Sequence, residues 1–393
     1  MTPTVTWFKE QAIAATGLED FGPDYFEASL SGWAEDLAGD HLTDVGRGLF
    51  TRQMVNDLAR RLQVIDYLNT HPEIDEVEIP PILYVSGLER TGTTLLHNLL
   101  SLDPRARALR RWELMYPVPA PEAATWDRDP RIAKVQASIE RLRGSKLEHM
   151  HWVEAVDPEE CYWGLLNGFG ILGGSACALM PQFNSHIGLE TTYRALLEYR
   201  QVIKILLWKN PIPEGGHLVL KSPQFCGYLS ALQRALPECR MVVTHRDPLR
   251  ALISVCNLQA HIHEPLVNTD ALYDRHGPIA ERMLGPAPGR LRDVVDFADA
   301  GNAMANVAYP LLVADPAAAV AQVYEDHGLP MPAELPAAVR SFIEAQQAGR
   351  RAKPAGEFAD FGIDAEALYA DPEVAAYCTR FAVGREATRL TGT

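Results

Sequence analysis

The feature that most constrains the fold is an apolar run that leads through a glycine-framed loop into an apolar helix. The run Ile82-Leu83-Tyr84-Val85 follows Pro80-Pro81 and has the composition of a buried strand. The loop Gly87-Leu88-Glu89-Arg90-Thr91-Gly92-Thr93-Thr94 comes next, and helical spacing then continues to Leu100. A strand, a glycine loop and a helix in this order are typical of the start of a doubly wound sheet.

Further strand–turn–helix units recur later in the chain. His217-Leu218-Val219-Leu220 leads into the turn Lys221-Ser222-Pro223, and Arg240-Met241-Val242-Val243-Thr244-His245 leads into Arg246-Asp247-Pro248. A last unit is predicted to begin at Met304. Alternating strands and helices indicate an α/β fold, a P-loop-like doubly wound parallel sheet with helices on both faces. Ligands of such sheets bind beyond the carboxyl ends of the strands, where these polar turns lie.

Two other parts of the chain differ from this core in composition. Apolar side chains recur at helical spacing through residues 1–76, which predicts a helical N-terminal extension. Residues 77–393 are predicted to form the α/β domain. Within it, residues 112–215 are rich in aromatic side chains and are expected to form the acceptor-binding or lid region.

Charge and composition narrow the possible partners. The formal net charge of −15 argues against a nucleic-acid-binding surface, which needs a basic face. An anionic ligand must therefore be held by a local cluster of cations and backbone N–H groups. The sequence shows no signal peptide and no apolar run long enough to span a bilayer, so we expect a cytoplasmic protein without stable membrane insertion. It leaves the oligomeric state open.

No metal site is predicted from the cysteines or histidines. The six cysteines show no metal-like spacing, which favours buried, reduced thiols. The pairs His149-x-His151 and His261-x-His263 have no clear third ligand.

The glycine loop has the frame of a phosphate-binding loop, G-x-x-x-x-G-K-[ST], except that Thr93 stands at the lysine position. Backbone N–H groups from Arg90 to Leu95 can converge on an anion at the helix N-terminus. The missing lysine is the one that grips the terminal phosphates of a nucleoside triphosphate. Arg90 offers a cation from a different position in the loop.

Two motifs together resemble those of sulfotransferases that depend on 3′-phosphoadenosine 5′-phosphosulfate (PAPS). Arg90-Thr91-Gly92-Thr93-Thr94 is similar to their 5′-phosphosulfate loop, [RK]-[ST]-G-T-[ST]. Arg246 is followed eight residues later by Ser254, as in the family's arginine–serine pair for the 3′-phosphate. The Lys221-Ser222-Pro223 turn resembles one common in the broad bacterial branch. The resemblance covers roughly residues 80–365.

The resemblance implies in-line transfer of a sulfuryl group from PAPS to a hydroxyl of a small-molecule acceptor, without metal. The acceptor is expected to be a small or lipophilic alcohol or phenol. Arg90 and Lys221 are expected to stabilise the leaving phosphate. The basic run at residues 349–353 resembles the family's loop over the 3′-phosphate, although a solvated basic loop is the competing interpretation. The residues expected to bind the donor are Arg90, Thr91, Gly92, Thr93, Thr94, Arg246, Ser254, Arg350, Arg351 and Lys353.

The chain departs from the family pattern at two functional positions. Leu95 stands where cytosolic members carry the tryptophan that stacks on adenine. Pro223 stands where those members place a catalytic histidine, so the general base must come from elsewhere.

Glu113 is the first candidate for the base, because it resembles a glutamate that some branches use there and partial burial can raise the pKa of a carboxyl group. His151 and His97 are the alternatives, although His97 lies in an apolar helix and has the character of a core histidine. Glu159-Glu160, after Pro158, is predicted to be a solvated helix start.

Two rival functions remain open from the sequence. One is a P-loop kinase-type phosphotransferase that uses ATP and Mg²⁺, against which the missing lysine argues. The other is a nucleotide-binding protein without catalysis, which the altered Pro223 position allows.

Overall fold

A computed structural model of the protein describes residues 3–141, 153–165, 179–268, 274, 276–349, 358–359, 361–386 and 390–391. His149, His151, Arg350, Arg351 and Lys353 lie outside these described residues.

The centre of the described chain is a five-stranded sheet in which all neighbouring strands are parallel. Its strands are β1 (Ile82–Ser86), β2 (Ala106–Ala108), β3 (His217–Lys221), β4 (Cys239–His245) and β5 (Met304–Ala308). The strand order is β2-β3-β1-β4-β5, so β1 is central. The chain crosses from β1 to the edge strand β2, returns to β3 beside β1, and then continues on the other side of β1 through β4 to β5. Val85 is aligned with Lys221 on one side and with Val242 on the other, which brings the three polar turns to one edge. A separate parallel pair joins β6 (Phe358–Ala359) to β7 (Leu390–Thr391).

Helices connect these strands and cover both faces of the sheet. Before β3 they are α1 (Val5–Thr16), α2 (Glu27–Ala38), α3 (Asp44–Thr70), α4 (Thr93–Leu100), α5 (Arg111–Met115), α6 (Pro130–Glu140), α7 (Tyr162–Leu165), α8 (Pro181–Ser185) and α9 (Leu189–Trp208). After β3 they are α10 (Leu229–Ala235), α11 (Pro248–His263), α12 (Pro278–Leu284), α13 (Ala287–Asp299), α14 (Tyr309–Ala314), α15 (Pro316–Asp326), α16 (Leu335–Gly349), α17 (Ala365–Ala370) and α18 (Pro372–Arg380).

The two faces of β1 show why the strand is apolar throughout. Ile82 and Tyr84 pack into a core formed with α9, α10, α13 and α18. Leu83 and Val85 point to the other face and pack with α4, α15 and α16. Burying an aliphatic side chain of this size contributes roughly 1.5–3 kcal/mol relative to leaving it exposed. The predicted α/β fold with helices on both faces is confirmed.

The N-terminal helices are held to the rest by a buried arginine as well as by apolar packing. Arg61 of α3 donates to both carboxylate oxygens of Glu198 on α9, at 2.6 and 2.7 Å. It also donates to the main-chain oxygens of Phe21 at 2.7 Å and Pro23 at 2.9 Å. The side chain of Arg61 is 1% exposed, so this network compensates a charge that water cannot reach. Across the described ranges, none of the helices is long and apolar enough to cross a membrane.

Candidate functional site

The loop between β1 and α4 has a backbone that requires its glycines. Gly87 and Gly92 have φ angles of +136° and +96°, and Arg90 is also left-handed at +69°. A Cβ atom at Gly87 would lie 2.6 Å from the main-chain oxygen of Thr244, and one at Gly92 would lie 2.7 Å from Leu312. The loop is therefore pressed against β4 and α14, and it enters α4 directly at Thr93. A helix N-terminus reached through such a loop is a ready site for an anion.

The side chain of Thr91 connects this loop to β4. Its hydroxyl donates to the main-chain oxygen of Leu88 at 2.6 Å and lies 2.6 Å from the hydroxyl of Thr244. Because Thr91 is fully buried, its side chain fastens the loop to β4 and leaves only its backbone to face a ligand.

The structure brings together the two arginines and the serine that the sequence motifs predict. The Nε of Arg90 donates to the hydroxyl of Ser254 at 3.0 Å. A terminal nitrogen of Arg246 donates to the main-chain oxygen of Arg90 at 2.9 Å, and its guanidinium lies 3.9 Å from the ring centre of Tyr309. The remaining edge of Arg246 forms an ion pair with Glu386 at 2.8 Å, a partner that the sequence motifs do not indicate.

Arg90 differs from Arg246 in its ionic partners. Within the part of the chain that the structure describes, no salt bridge involves Arg90. Burial and the nearby positive charge of Arg246 lower the pKa of its guanidinium. A half-buried arginine beside a second arginine is a site that an anion would stabilise.

Lys221 lies at the same edge of the sheet and is fully buried. Its ammonium group donates to Glu160 at 2.6 Å and to the hydroxyl of Thr94 at 3.4 Å. The second carboxylate oxygen of Glu160 accepts a hydrogen bond from Gln224 at 3.2 Å. The cation expected from the sequence is thus placed against the loop, together with a carboxylate.

Glu160 corrects a sequence prediction, because the pair Glu159-Glu160 is not a solvated helix start. Glu159 is buried, and Glu160 is largely buried with its carboxylate on Lys221. The main-chain N–H of Cys161 donates to the main-chain oxygen of Lys221 at 3.0 Å, which fixes this segment beside β3. Sequence reasoning missed Glu160 because no spacing rule relates it to a lysine 61 positions away. The only local signal is an acidic pair in an otherwise aromatic segment.

Glu113 lies in surroundings that do not support the base role predicted for it. It is fully buried, and one oxygen accepts from Arg107 at 2.6 Å. The other oxygen accepts the main-chain N–H of Arg110 at 2.9 Å and so caps α5. Both oxygens are therefore used to hold β2 and α5 together, and the base role of Glu113 stays a prediction.

His97, an alternative base, is a core histidine. Its Nε2 lies 3.1 Å from the main-chain oxygen of Val219, and burial together with Lys221 lowers its pKa to about 3. It is therefore neutral, and it faces the strand rather than open space.

The comparisons with known proteins agree with this geometry. A sequence profile described as "Sulfotransferase family" matches residues 81–333. The chain belongs to the sulfotransferase family. No match was found among curated proteins.

Two solved bacterial sulfotransferases share the fold over nearly the whole chain. Sulfotransferase STF9 from Mycobacterium avium is 23% identical, with a TM-score of 0.81 and coverage of 99% of both chains. Sulfotransferase STF1 from Mycobacterium tuberculosis H37Rv is 24% identical, with a TM-score of 0.76, and the match covers 97% of this chain and 99% of that one.

A cavity of about 370 Å³ opens beside the loop of this sulfotransferase. Arg90, Thr93, Thr94 and Arg246 form its polar side, whereas its apolar side comes from α4, α14, α15 and α16. The apolar lining consists of Leu95, Leu312, Val313, Pro316 and Ile343. The volume lies at the lower end of the range of about 300–1,000 Å³ that is common for small-molecule sites.

Arg290, whose side chain is 15% exposed, connects the loop to the Lys221 turn. Arg290 of α13 forms an ion pair with Glu89 at 2.9 Å. It also donates to the main-chain oxygens of Cys226 at 2.7 Å and Pro223 at 3.1 Å. Burial disfavours its charge, but Glu89 together with Cys226 and Tyr228 outweighs this and raises the pKa of Arg290. One side chain therefore holds the loop after β1 and the turn after β3 in a fixed relation.

We expect Arg290→Met to lower the free energy of unfolding by about 3 kcal/mol, because it leaves Glu89 and two turn carbonyls without their donor. Arg290→Lys should recover only part of this loss, since an ammonium group cannot reproduce the planar fork. Urea denaturation measures both effects.

Arg292→Met is the matched control, because Arg292 lies on the same helix and its side chain is 61% exposed. Its pair with Glu373 should contribute less than about 1 kcal/mol. Equal losses in the Arg290 and Arg292 variants would contradict a specific role for Arg290.

Proposed function

We propose that the protein transfers the sulfuryl group of PAPS to the hydroxyl of a small-molecule acceptor. The observation that carries this proposal is the charge pattern around the loop. Arg90 has no salt bridge among the described residues and lies within hydrogen-bonding distance of Ser254, while Arg246 contacts its main-chain oxygen. A ligand with separate 5′ and 3′ anionic groups would match the loop and the arginine–serine pair at once.

The donor has three parts, and each has a proposed place in the site. The 5′-phosphosulfate would occupy the loop N–H groups beside Arg90 and Thr94. The 3′-phosphate would lie at Arg246 and Ser254. The adenine would lie in the apolar part of the cavity, where Leu95, Leu312 and Ile343 take the place of the family tryptophan. Contact with these apolar side chains would remove the adenine from water without ring stacking.

Lys221 and Glu160 are suited to the transfer step. The acceptor oxygen attacks sulfur while the bond from sulfur to the bridging oxygen breaks, and the electron pair remains on the leaving 5′-phosphate. Lys221 and Arg90 would stabilise that charge, as cations do in phosphoryl transfer. Glu160 would accept the proton of the attacking hydroxyl. It lies in the 112–215 region expected to face the acceptor, and its carboxylate is already hydrogen-bonded to Lys221.

The proposed function is tested by incubating the protein with ³⁵S-labelled PAPS and a panel of alcohols and phenols. We expect label transfer that persists in excess chelator, because the expected site uses cations of the protein rather than a metal ion. Phosphate transfer from ATP that requires Mg²⁺ would favour the kinase alternative. Tight nucleotide binding with no transfer to any acceptor would favour the non-catalytic alternative.

Arg246→Ala should weaken binding of adenosine 3′,5′-bisphosphate by about 10–100-fold, because it removes a charge-assisted contact to the 3′-phosphate. Binding of AMP, which lacks that phosphate, should change little. Isothermal titration calorimetry measures both affinities, and Ser254→Ala should show the same selectivity with a smaller effect. An equal loss for the two nucleotides would contradict the 3′-phosphate assignment.

Glu160→Gln should lower kcat by about 10²–10⁴-fold, the usual contribution of a positioned base, with little change in nucleotide affinity. Glu190→Gln on the exposed start of α9 is the control, and it should leave kcat unchanged. A near-normal kcat in the Glu160 variant would contradict its role as the base, and the sequence candidates Glu113, His97 and His151 would be tested next.

A further inference from the structure

Glu386 occupies the edge of Arg246 that suits a bidentate anion. The Nε and one terminal nitrogen of Arg246 donate to the two oxygens of Glu386, each at 2.8 Å. The other terminal nitrogen is engaged with the main-chain oxygen of Arg90, and the ring of Tyr309 lies 3.9 Å from the guanidinium. An anion that needs two parallel N–H groups of Arg246 therefore meets the Glu386 carboxylate at one of its two forked edges.

The position of Glu386 is built into the turn that carries Arg246. The main-chain N–H of Glu386 donates to one carboxylate oxygen of Asp247 at 2.7 Å. The other oxygen of Asp247 accepts from the hydroxyl of Tyr369 at 2.6 Å and caps α11 through the N–H of Leu249 at 3.1 Å. Asp247 is buried, so the segment ending at Glu386 is anchored to α11 independently of the Arg246 ion pair.

A carboxylate held in this way resembles the oxygens of a phosphate group. Each presents two anionic oxygens that can accept the two parallel N–H groups of the guanidinium fork. The pair is partly buried, with 13% of the Arg246 side chain and 29% of the Glu386 side chain exposed, so water weakens it only in part. A phosphate monoester carries more negative charge than a carboxylate at neutral pH and has three acceptor oxygens, so it is able to replace Glu386.

We propose that Glu386 is an internal ligand of the 3′-phosphate site, which the donor displaces from Arg246 when it binds. This inference rests on the proposed function, because it takes Arg246 as the contact for the 3′-phosphate. Two anions repel each other at one guanidinium edge, so binding of the nucleotide releases the Glu386 side chain. Glu386 thereby lowers the affinity for 3′-phosphorylated nucleotides, both the donor and its desulfated product, without affecting nucleotides that have only a 3′-hydroxyl.

The test compares adenosine 3′,5′-bisphosphate with AMP by calorimetry on the full chain. Glu386→Gln removes the charge but keeps the shape, and it should bind the bisphosphate about three- to tenfold more tightly than the wild type. Glu386→Ala, which cannot reach Arg246, should bind it at least as tightly as the Gln variant. The affinity for AMP should be the same in all three proteins. Thermal unfolding of each variant confirms that it is folded.

Glu366→Gln is the matched control, because it removes one negative charge from an exposed pair with the neighbouring Arg385. It should bind both nucleotides as the wild type does. A higher affinity for the bisphosphate in this variant would mean that the change in net charge, rather than displacement of Glu386, is responsible.

The remaining outcomes separate this inference from the proposed function. A wild type that prefers the bisphosphate, with Gln and Ala variants that bind it equally or more weakly, overturns the inference alone and makes Glu386 an orienting residue for Arg246. If the wild type binds both nucleotides equally, Arg246 does not bind the 3′-phosphate. That result contradicts both this assignment and the inference that rests on it.

Discussion

Buried positive charge is the constraint on which the rest of this site depends. The fold places several cations where β1, β3 and β4 end, in a region with little water to solvate them. A buried charge without a partner is costly, so each cation needs an anion at short range. Among the described residues the partners are carboxylates in three cases: Lys221 with Glu160, Arg290 with Glu89, and Arg246 with Glu386. Arg90, the cation of the loop, has the hydroxyl of Ser254 as its side-chain partner within the described ranges.

This pairing explains which parts of the site could be predicted from the sequence. Arg90 lies in the loop after β1, Lys221 ends β3 and Arg246 follows β4, and parallel strands bring their carboxyl ends to one edge. The pattern of strands and turns therefore predicted both the sheet and the cations at its edge. The carboxylate partners of Lys221 and Arg246 lie 61 and 140 residues away along the chain, and Arg290 lies 201 residues from Glu89. No local periodicity connects such residues, because only the packing of helices on the sheet brings them together.

The case of Glu113 shows where local reasoning about a carboxylate is insufficient. Its position after the loop helix and beside Trp112 suggested a desolvated base. Burial alone, however, does not identify a reactive carboxylate. Both oxygens are hydrogen-bonded in each glutamate: those of Glu113 to Arg107 and the α5 cap, and those of Glu160 to Lys221 and Gln224 beside the loop. What separates the two glutamates is the neighbour across the sheet edge, and that neighbour is visible only in the fold.

The C-terminal helices pack around Arg246 from beyond the matched family region, which ends at residue 333. His245, next to Arg246, stacks on Phe381 with ring centres 4.2 Å apart, and its Nδ1 lies 2.9 Å from the hydroxyl of Tyr377. Burial lowers the pKa of His245 to about 4, so this ring adds no positive charge beside Arg246 near neutral pH. A protonated imidazole there would repel the guanidinium of Arg246. By covering His245, α18 helps to keep this ring neutral, and the segment after α18 carries Glu386 to the guanidinium of Arg246.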